Sequence, residues 1–180
     1  GDAGEAFDPS YDNLDRRTRL QTFGDLKLAL LPKRNRGQTV NVAMRFRWGD
    51  ESSLKDRQFS GALAMSMLTR GTSRLNRQQI ADEITRLKIR GGLTQFETTR
   101  DKLPEALGLV AQMFRDASFP PEEFEELRRE YLTNLQSQLD SPEELSSDAL
   151  NAHFNRYPPG DPRYHATLPE RIEHLRQVTL

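Results

Sequence analysis

The sequence predicts an α+β domain, an antiparallel sheet with helices packed on one face. Three observations lead there. Strand-like and helix-like stretches are segregated along the chain, as a strand pair, a helix pair, a single strand and a helix run, rather than alternating as in a doubly wound parallel sheet. The strand candidates alternate apolar and polar residues, the period of a sheet with one wet face. The helix candidates carry apolar stripes at helical spacing and start at capping residues.

Taken in order, residues 1–19 read as a linker, with the turn-formers Asp8-Pro9-Ser10 and Asp12-Asn13 and few apolar residues. Residues 20–180 read as a single domain. Leu26, Leu28 and Leu30 alternate with Lys27 and Ala29 in a first strand. Val40, Val42, Met44, Phe46 and Trp48 line one face of a second, with Asn41, Arg45 and Arg47 on the other. The connection Pro32–Gln38 then suggests an antiparallel hairpin of these two strands. Its basic cluster, Lys33-Arg34-Asn35-Arg36, reads as a solvated loop.

A buried helix over Phe59–Arg70 follows, ending at Gly71-Thr72, with Met65 and Met67 filling the core. Asn76, with Gln79 three residues on, opens the next helix with a variant capping box. Thr94–Thr99 is strand-like. Leu103, Leu107, Val110 and Phe114 form a helical stripe widened by Ala106, Leu109 and Met113, and Phe124, Leu127, Tyr131, Leu135 and Leu139 form another after Pro120-Pro121. Ser141-Pro142-Glu143-Glu144 is a capping box with proline at the first helical position. A loop at Tyr157–Pro162 precedes a last short helix opened by Thr167-Leu168-Pro169-Glu170. The expected core joins Trp48, Phe46, Met67, Leu107, Val110 and Phe124 in one cluster.

Composition narrows the function. The 180 residues suffice for one well-packed domain. With 26 Lys+Arg against 27 Asp+Glu there is no basic surplus of the kind a nucleic-acid binder shows. The absence of cysteine removes disulfides, thiolate zinc sites and cysteine nucleophiles. No apolar run reaches membrane-span length, and Gly1-Asp2-Ala3-Gly4-Glu5 does not read as a signal peptide. His153, His165 and His174 lack metal-ligand spacing and read as ordinary histidines. Glu122, Glu123, Glu125, Glu126 and Glu130 read as a solvated face that complements a helix N-terminus. Ser60, Ser66 and Ser137 lie in no G-x-S-x-G elbow.

One resemblance gathers these pieces. Phe23-Gly24-Asp25-Leu26-Lys27-Leu28-Ala29-Leu30-Leu31-Pro32, the turn Gly49-Asp50-Glu51, the segment Phe96–Leu107 and above all Phe119–Glu130 are similar, in order and spacing, to the first domain unit of the insulinase-like (M16) zinc metallopeptidases. The likeness covers the chain from Leu20 onward. In that family the helix before the Gly-Thr pair carries H-x-x-E-H. Aligned on Gly71-Thr72, the resemblance places the two histidine ligands at Ala62 and Ser66, the glutamate base at Met65 and the third ligand, seven residues after Glu130, at Ser137. None of these residues serves. A hydrolytic zinc needs three protein ligands and one open position.

The resemblance therefore implies no catalytic residues, no metal and no cofactor in this chain, with zinc in the catalytic half of a parent metalloendopeptidase. It implies a non-catalytic second-half domain, truncated at its C-terminus, that packs against the zinc-bearing half and helps enclose a peptide chamber. Peptide substrate is then an indirect partner, with the strand Thr94–Thr99 as part of the wall. For a bacterial member it implies a periplasmic location. A homodimer of the fragment is a further expectation, since a lost partner surface exposes apolar residues. The segment Lys88–Gly92 is short for the family, which usually has another strand there. Two alternatives stay open: a purely architectural subunit like the core proteins of the respiratory cytochrome complex, and an independent hydrolase with unrelated chemistry.

Overall fold

The computed structural model describes residues 3–55 and 57–180, with the backbone alone at Gln58. The elements run α1 (Tyr11–Arg17), β1 (Arg19–Phe23), β2 (Leu26–Leu30), β3 (Thr39–Ala43), α2 (Glu51–Leu54), α3 (Gln58–Met67), α4 (Arg77–Arg86), β4 (Arg90–Gly91), β5 (Gln95–Thr99), α5 (Leu103–Arg115), α6 (Pro121–Leu139), α7 (Pro142–Phe154) and α8 (Leu168–Gln177). This is an α+β fold, with antiparallel strands in two small sheets, β1-β2 and β3-β5-β4.

The expected pairing of Leu26–Leu30 with the Val40 strand does not occur. Leu26–Leu30 pairs instead with Arg19–Phe23, Phe23 opposite Leu26 and Arg19 opposite Leu30. The reason is the turn. Gly24-Asp25 closes a two-residue hairpin with Gly24 at φ 57°, a conformation glycine adopts without strain. Pro32–Gln38 would close a longer loop at a greater entropic cost. The stretch read as linker thus contains a short helix and the start of β1. Arg17 ties that helix down through Glu5 at 2.9 Å and the Pro32 carbonyl at 2.6 Å. Gly1 and Asp2 of that stretch lie outside the described residues.

β3 pairs with β5, Val42 opposite Phe96, and β5 also pairs with β4, Arg90 opposite Glu97. The ladder stops at Ala43, short of the expected Trp48. Met44 adds one further bond to the Thr94 carbonyl, and beyond it β5 offers no partner because the chain enters Gly91–Leu93. The strand expected from the family in this segment is thereby reduced to two residues. Phe46 and Trp48, released from the ladder, are 52% and 61% exposed. Phe46 packs on the Phe114 ring at 4.7 Å between centroids, and Trp48 lies over Gly61, where an added Cβ would stand 2.8 Å from its ring.

The core divides into two clusters rather than one. The first is helical: Leu63 and Met67 of α3, Phe124, Leu127 and Leu135 of α6, and Leu168, Ile172 and Leu175 of α8. The second lies between the three-stranded sheet and its helices: Ile80 of α4, Leu87, Phe96 of β5, and Ala106, Leu109, Val110 and Met113 of α5, with Val42 and Met44 against it. Of the six residues expected in one core, Met67 and Phe124 enter the first cluster and Val110 the second, while Phe46, Trp48 and Leu107 are exposed. On α5 the buried row is Ala106, Leu109, Val110 and Met113, so the helix faces the sheet with Val110 of its expected stripe and with the three residues read as widening it. Met65 is also exposed, because it lies on the opposite side of α3 from Leu63 and Met67.

Caps follow the sequence. Asn76 with Gln79 and Thr167 with Glu170 form capping boxes, and Ser141 accepts from the Glu144 amide. Gly71-Thr72 joins the two clusters. A Cβ on Gly71 would meet Ser118 Oγ at 2.8 Å and Pro120 Cγ at 2.9 Å. Thr72 Oγ1 accepts from the Leu75 amide at 3.0 Å and from Gln112 Nε2 of α5 at 3.1 Å. The pair that anchors the sequence alignment is therefore a packing junction in its own right.

Candidate functional site

The four positions that the resemblance assigns to zinc chemistry lie on two packed helices, α3 and α6. Ala62 and Met65 are exposed on α3, and Ser66 is half-buried one turn after Ala62. Ser66 Oγ donates to the Ala62 carbonyl at 3.1 Å and shares a hydrogen bond with Tyr131 OH of α6 at 2.9 Å. Two of the positions are thus tied to each other, and a tyrosine from the facing helix takes up the polar valence there. Ser137 is exposed farther along α6 and donates to the Asn134 carbonyl of its own helix at 2.7 Å. It borders a shallow depression with Glu126, Arg129, Glu130, Thr133 and Asn134.

Chemically the four assigned positions supply no base and no metal-binding imidazole or carboxylate. Ala62 is a methyl group, Met65 a thioether, and Ser66 and Ser137 neutral hydroxyls already hydrogen-bonded. Among the described residues, no group of three or more His, Cys, Asp or Glu side chains is placed to hold a metal ion. The histidines lie elsewhere. His165 contacts Asp148 at 3.1 Å, His174 packs edge-on to Phe59 at 5.7 Å, and His153 sits against Phe154.

The glutamates of α6 keep part of the solvated face expected from their sequence, with Glu122 and Glu125 exposed, but three of the five are also drawn into ion pairs with Arg70. Glu123, Glu126 and Glu130 turn toward α3 and close on Arg70, which is only 7% exposed. Arg77 at the start of α4 adds a second guanidinium, 3.3 Å from Glu123 and 2.9 Å from Glu126. That hydrogen bond holds the Glu126 carboxyl below its ordinary range and raises Arg77. The spacing 123, 126, 130 places all three on one face of a helix, the signal that sequence reading had available. Only the fold shows that Arg70 faces it. This clamp fixes the end of α3 against α6, and hence the seam on which the degenerate positions lie.

A second polar centre joins α7 to α8. Asp148, 9% exposed, accepts from the Leu168 amide at 2.9 Å, from Arg171 Nη2 at 2.8 Å and from His165. Burial disfavours its ionised form, but the Leu168 amide, His165 and Arg171 outweigh that and hold the carboxyl below its ordinary range. No helix among the described residues is long and apolar enough to cross a membrane.

This arrangement of helices and small antiparallel sheets is an M16-like fold. A solved structure described as a peptidase M16 inactive domain from Pseudomonas fluorescens is similar to it, with a TM-score of 0.52 and 21% sequence identity over 66% of this chain. The match covers 30% of that neighbour's own length. No family model matches the sequence, and no curated protein does.

Proposed function

We propose that this chain is a non-catalytic domain of an insulinase-like zinc metallopeptidase, packed against a zinc-bearing half and contributing part of the wall of a peptide-enclosing chamber. The observation that carries this reading is the α3–α6 seam. The helix pair to which the resemblance assigns zinc in active members is joined by Arg70 and its glutamates and by Ser66 with Tyr131, while the ligand positions assigned to it carry Ala62, Ser66 and Ser137. The likeness of the fold to an M16 inactive domain supports the same reading. The sheet face turned away from the helices, with Asn41, Ala43, Gln95 and Glu97 around an open concavity, is the surface such a wall would present to peptide. Contacts there are passive, through amides, the Glu97 carboxylate and the Arg90 guanidinium.

The test is reconstitution. The zinc-bearing unit of the same open reading frame is prepared alone, and its turnover of an unstructured peptide is measured with and without this chain. The chain alone is expected to be inactive, and the mixture to sediment as a complex with altered turnover. A chain that neither binds that unit nor changes its turnover contradicts the proposal.

A further inference from the structure

The β1–β2 hairpin is the one sheet of the described structure that no helix covers. Register divides its side chains between two faces. Arg19 and Leu30, Gln21 and Leu28, and Phe23 and Leu26 are opposite pairs on one face; Leu20 with Ala29 and Thr22 with Lys27 make the other. The first face is apolar at four of its six positions, and Phe23, Leu26 and Leu30 are 60%, 61% and 42% exposed. A lone two-stranded hairpin is marginal in water and gains stability when its apolar face is covered.

We infer that this face is a docking surface for a second copy of the chain, two hairpins stacking face to face about a twofold axis. Two features favour a second copy. The first is charge. Arg19 lies at the open end of the apolar face and Asp25 at its turn, so an antiparallel stack brings each copy's turn over the other's open end and opposes Asp25 to Arg19 twice. Gln21, near the middle, faces its own symmetry mate and keeps a hydrogen-bonding partner on burial.

The second feature is area. At roughly 200 Å² for a large apolar residue, the face offers on the order of 400 Å² of apolar surface per copy. A standard interface takes about 800 Å² per partner, polar rim included. The hairpins alone therefore give a weak, reversible dimer rather than an obligate one. This inference rests on the hairpin's register and exposure, not on any peptidase role.

The experiment is sedimentation of the full 180-residue chain from about 5 to about 500 µM, the range in which an interface of this size dissociates. Circular dichroism on each variant checks the fold. The wild type is expected to move from monomer to dimer across that range. Leu26→Lys should weaken association at least about tenfold, because it sets two ammonium groups against an apolar face. Leu20→Lys, on the opposite face, should leave it unchanged. Arg19→Asp should weaken it, and combination with Asp25→Arg should restore it. A wild type that stays monomeric throughout, or Leu20→Lys and Leu26→Lys acting alike, overturns the inference. So does capture of a different polypeptide through Leu26 by a chain that does not pair with itself.

Discussion

The α3–α6 seam and the β1–β2 hairpin treat their side chains in opposite ways. Along the seam the polar groups find partners within the chain: Ser66 meets Tyr131, and Arg70 meets Glu123 and Glu130. Beneath them Leu63, Met67, Phe124 and Leu127 are buried. The hairpin keeps its backbone ladder but leaves Phe23, Leu26 and Leu30 in water. A surface whose valences are already met gains little from a ligand, whereas a sheet with an uncovered apolar face gains from burial. In this fold, the seam to which the resemblance assigns zinc chemistry is closed on itself, while the hairpin carries unspent apolar surface.

The largest expected difference is in the core beneath the seam. Phe124→Ala should cost about 3–5 kcal/mol in urea unfolding, the range for emptying a buried aromatic site. Phe23→Ala, measured in the monomer, should fall within about 0.5 kcal/mol of wild type, as at exposed sites. Equal losses would mean that the hairpin is covered within the chain and that the contrast is false.

Next comes the clamp. Arg70→Ala removes a buried guanidinium and leaves three glutamates facing one another with Arg77 as their remaining cation. A loss of about 3 kcal/mol is expected. Smaller is Asp148→Asn, which weakens the junction of α7 with the start of α8 by about 2 kcal/mol near neutral pH. Its pH dependence has a definite sign. The folded carboxyl titrates below its ordinary range, so its contribution is complete above the unfolded value near ~3.9 and disappears as pH falls through the lower folded value. The gap between wild type and Asp148→Asn should therefore close on acidification below about pH 4. A gap that widens there would reverse the assignment. Smallest is Tyr131→Phe, which removes one rim hydrogen bond and should cost about 0.5–1 kcal/mol, read from the same unfolding curves.

Fold class and most helices were legible because they depend on local signals. Asn76 with Gln79 and Thr167 with Glu170 cap the helices they were expected to cap. Gln95–Thr99 is the strand its alternation implies. Strand partners were not legible, because register and pairing are set by turn geometry and by which neighbours exist. Gly24-Asp25 outcompeted Pro32–Gln38, and the early end of the β3–β5 ladder released Phe46 and Trp48. One core became two because Gly71-Thr72 turns the chain between α3 and α4, a junction whose contacts to Ser118 and Gln112 are long-range. At the candidate site, Ala62, Met65, Ser66 and Ser137 came from motif alignment. Tyr131 and Arg70 came only from the fold, since nothing in their local sequence says that they face α3 and α6 respectively.

The most direct test of the central claim, that the seam is a zinc site emptied of its ligands, is a calorimetric zinc titration of two proteins side by side. One is the chain as it stands; the other carries Ala62→His, Ser66→His and Ser137→Glu, with circular dichroism to establish that it folds. The account predicts no stoichiometric zinc on the first and one zinc per chain on the second, because three ligands then share one helix pair. One tightly bound zinc on the unaltered chain, or none on the folded triple variant, would contradict it.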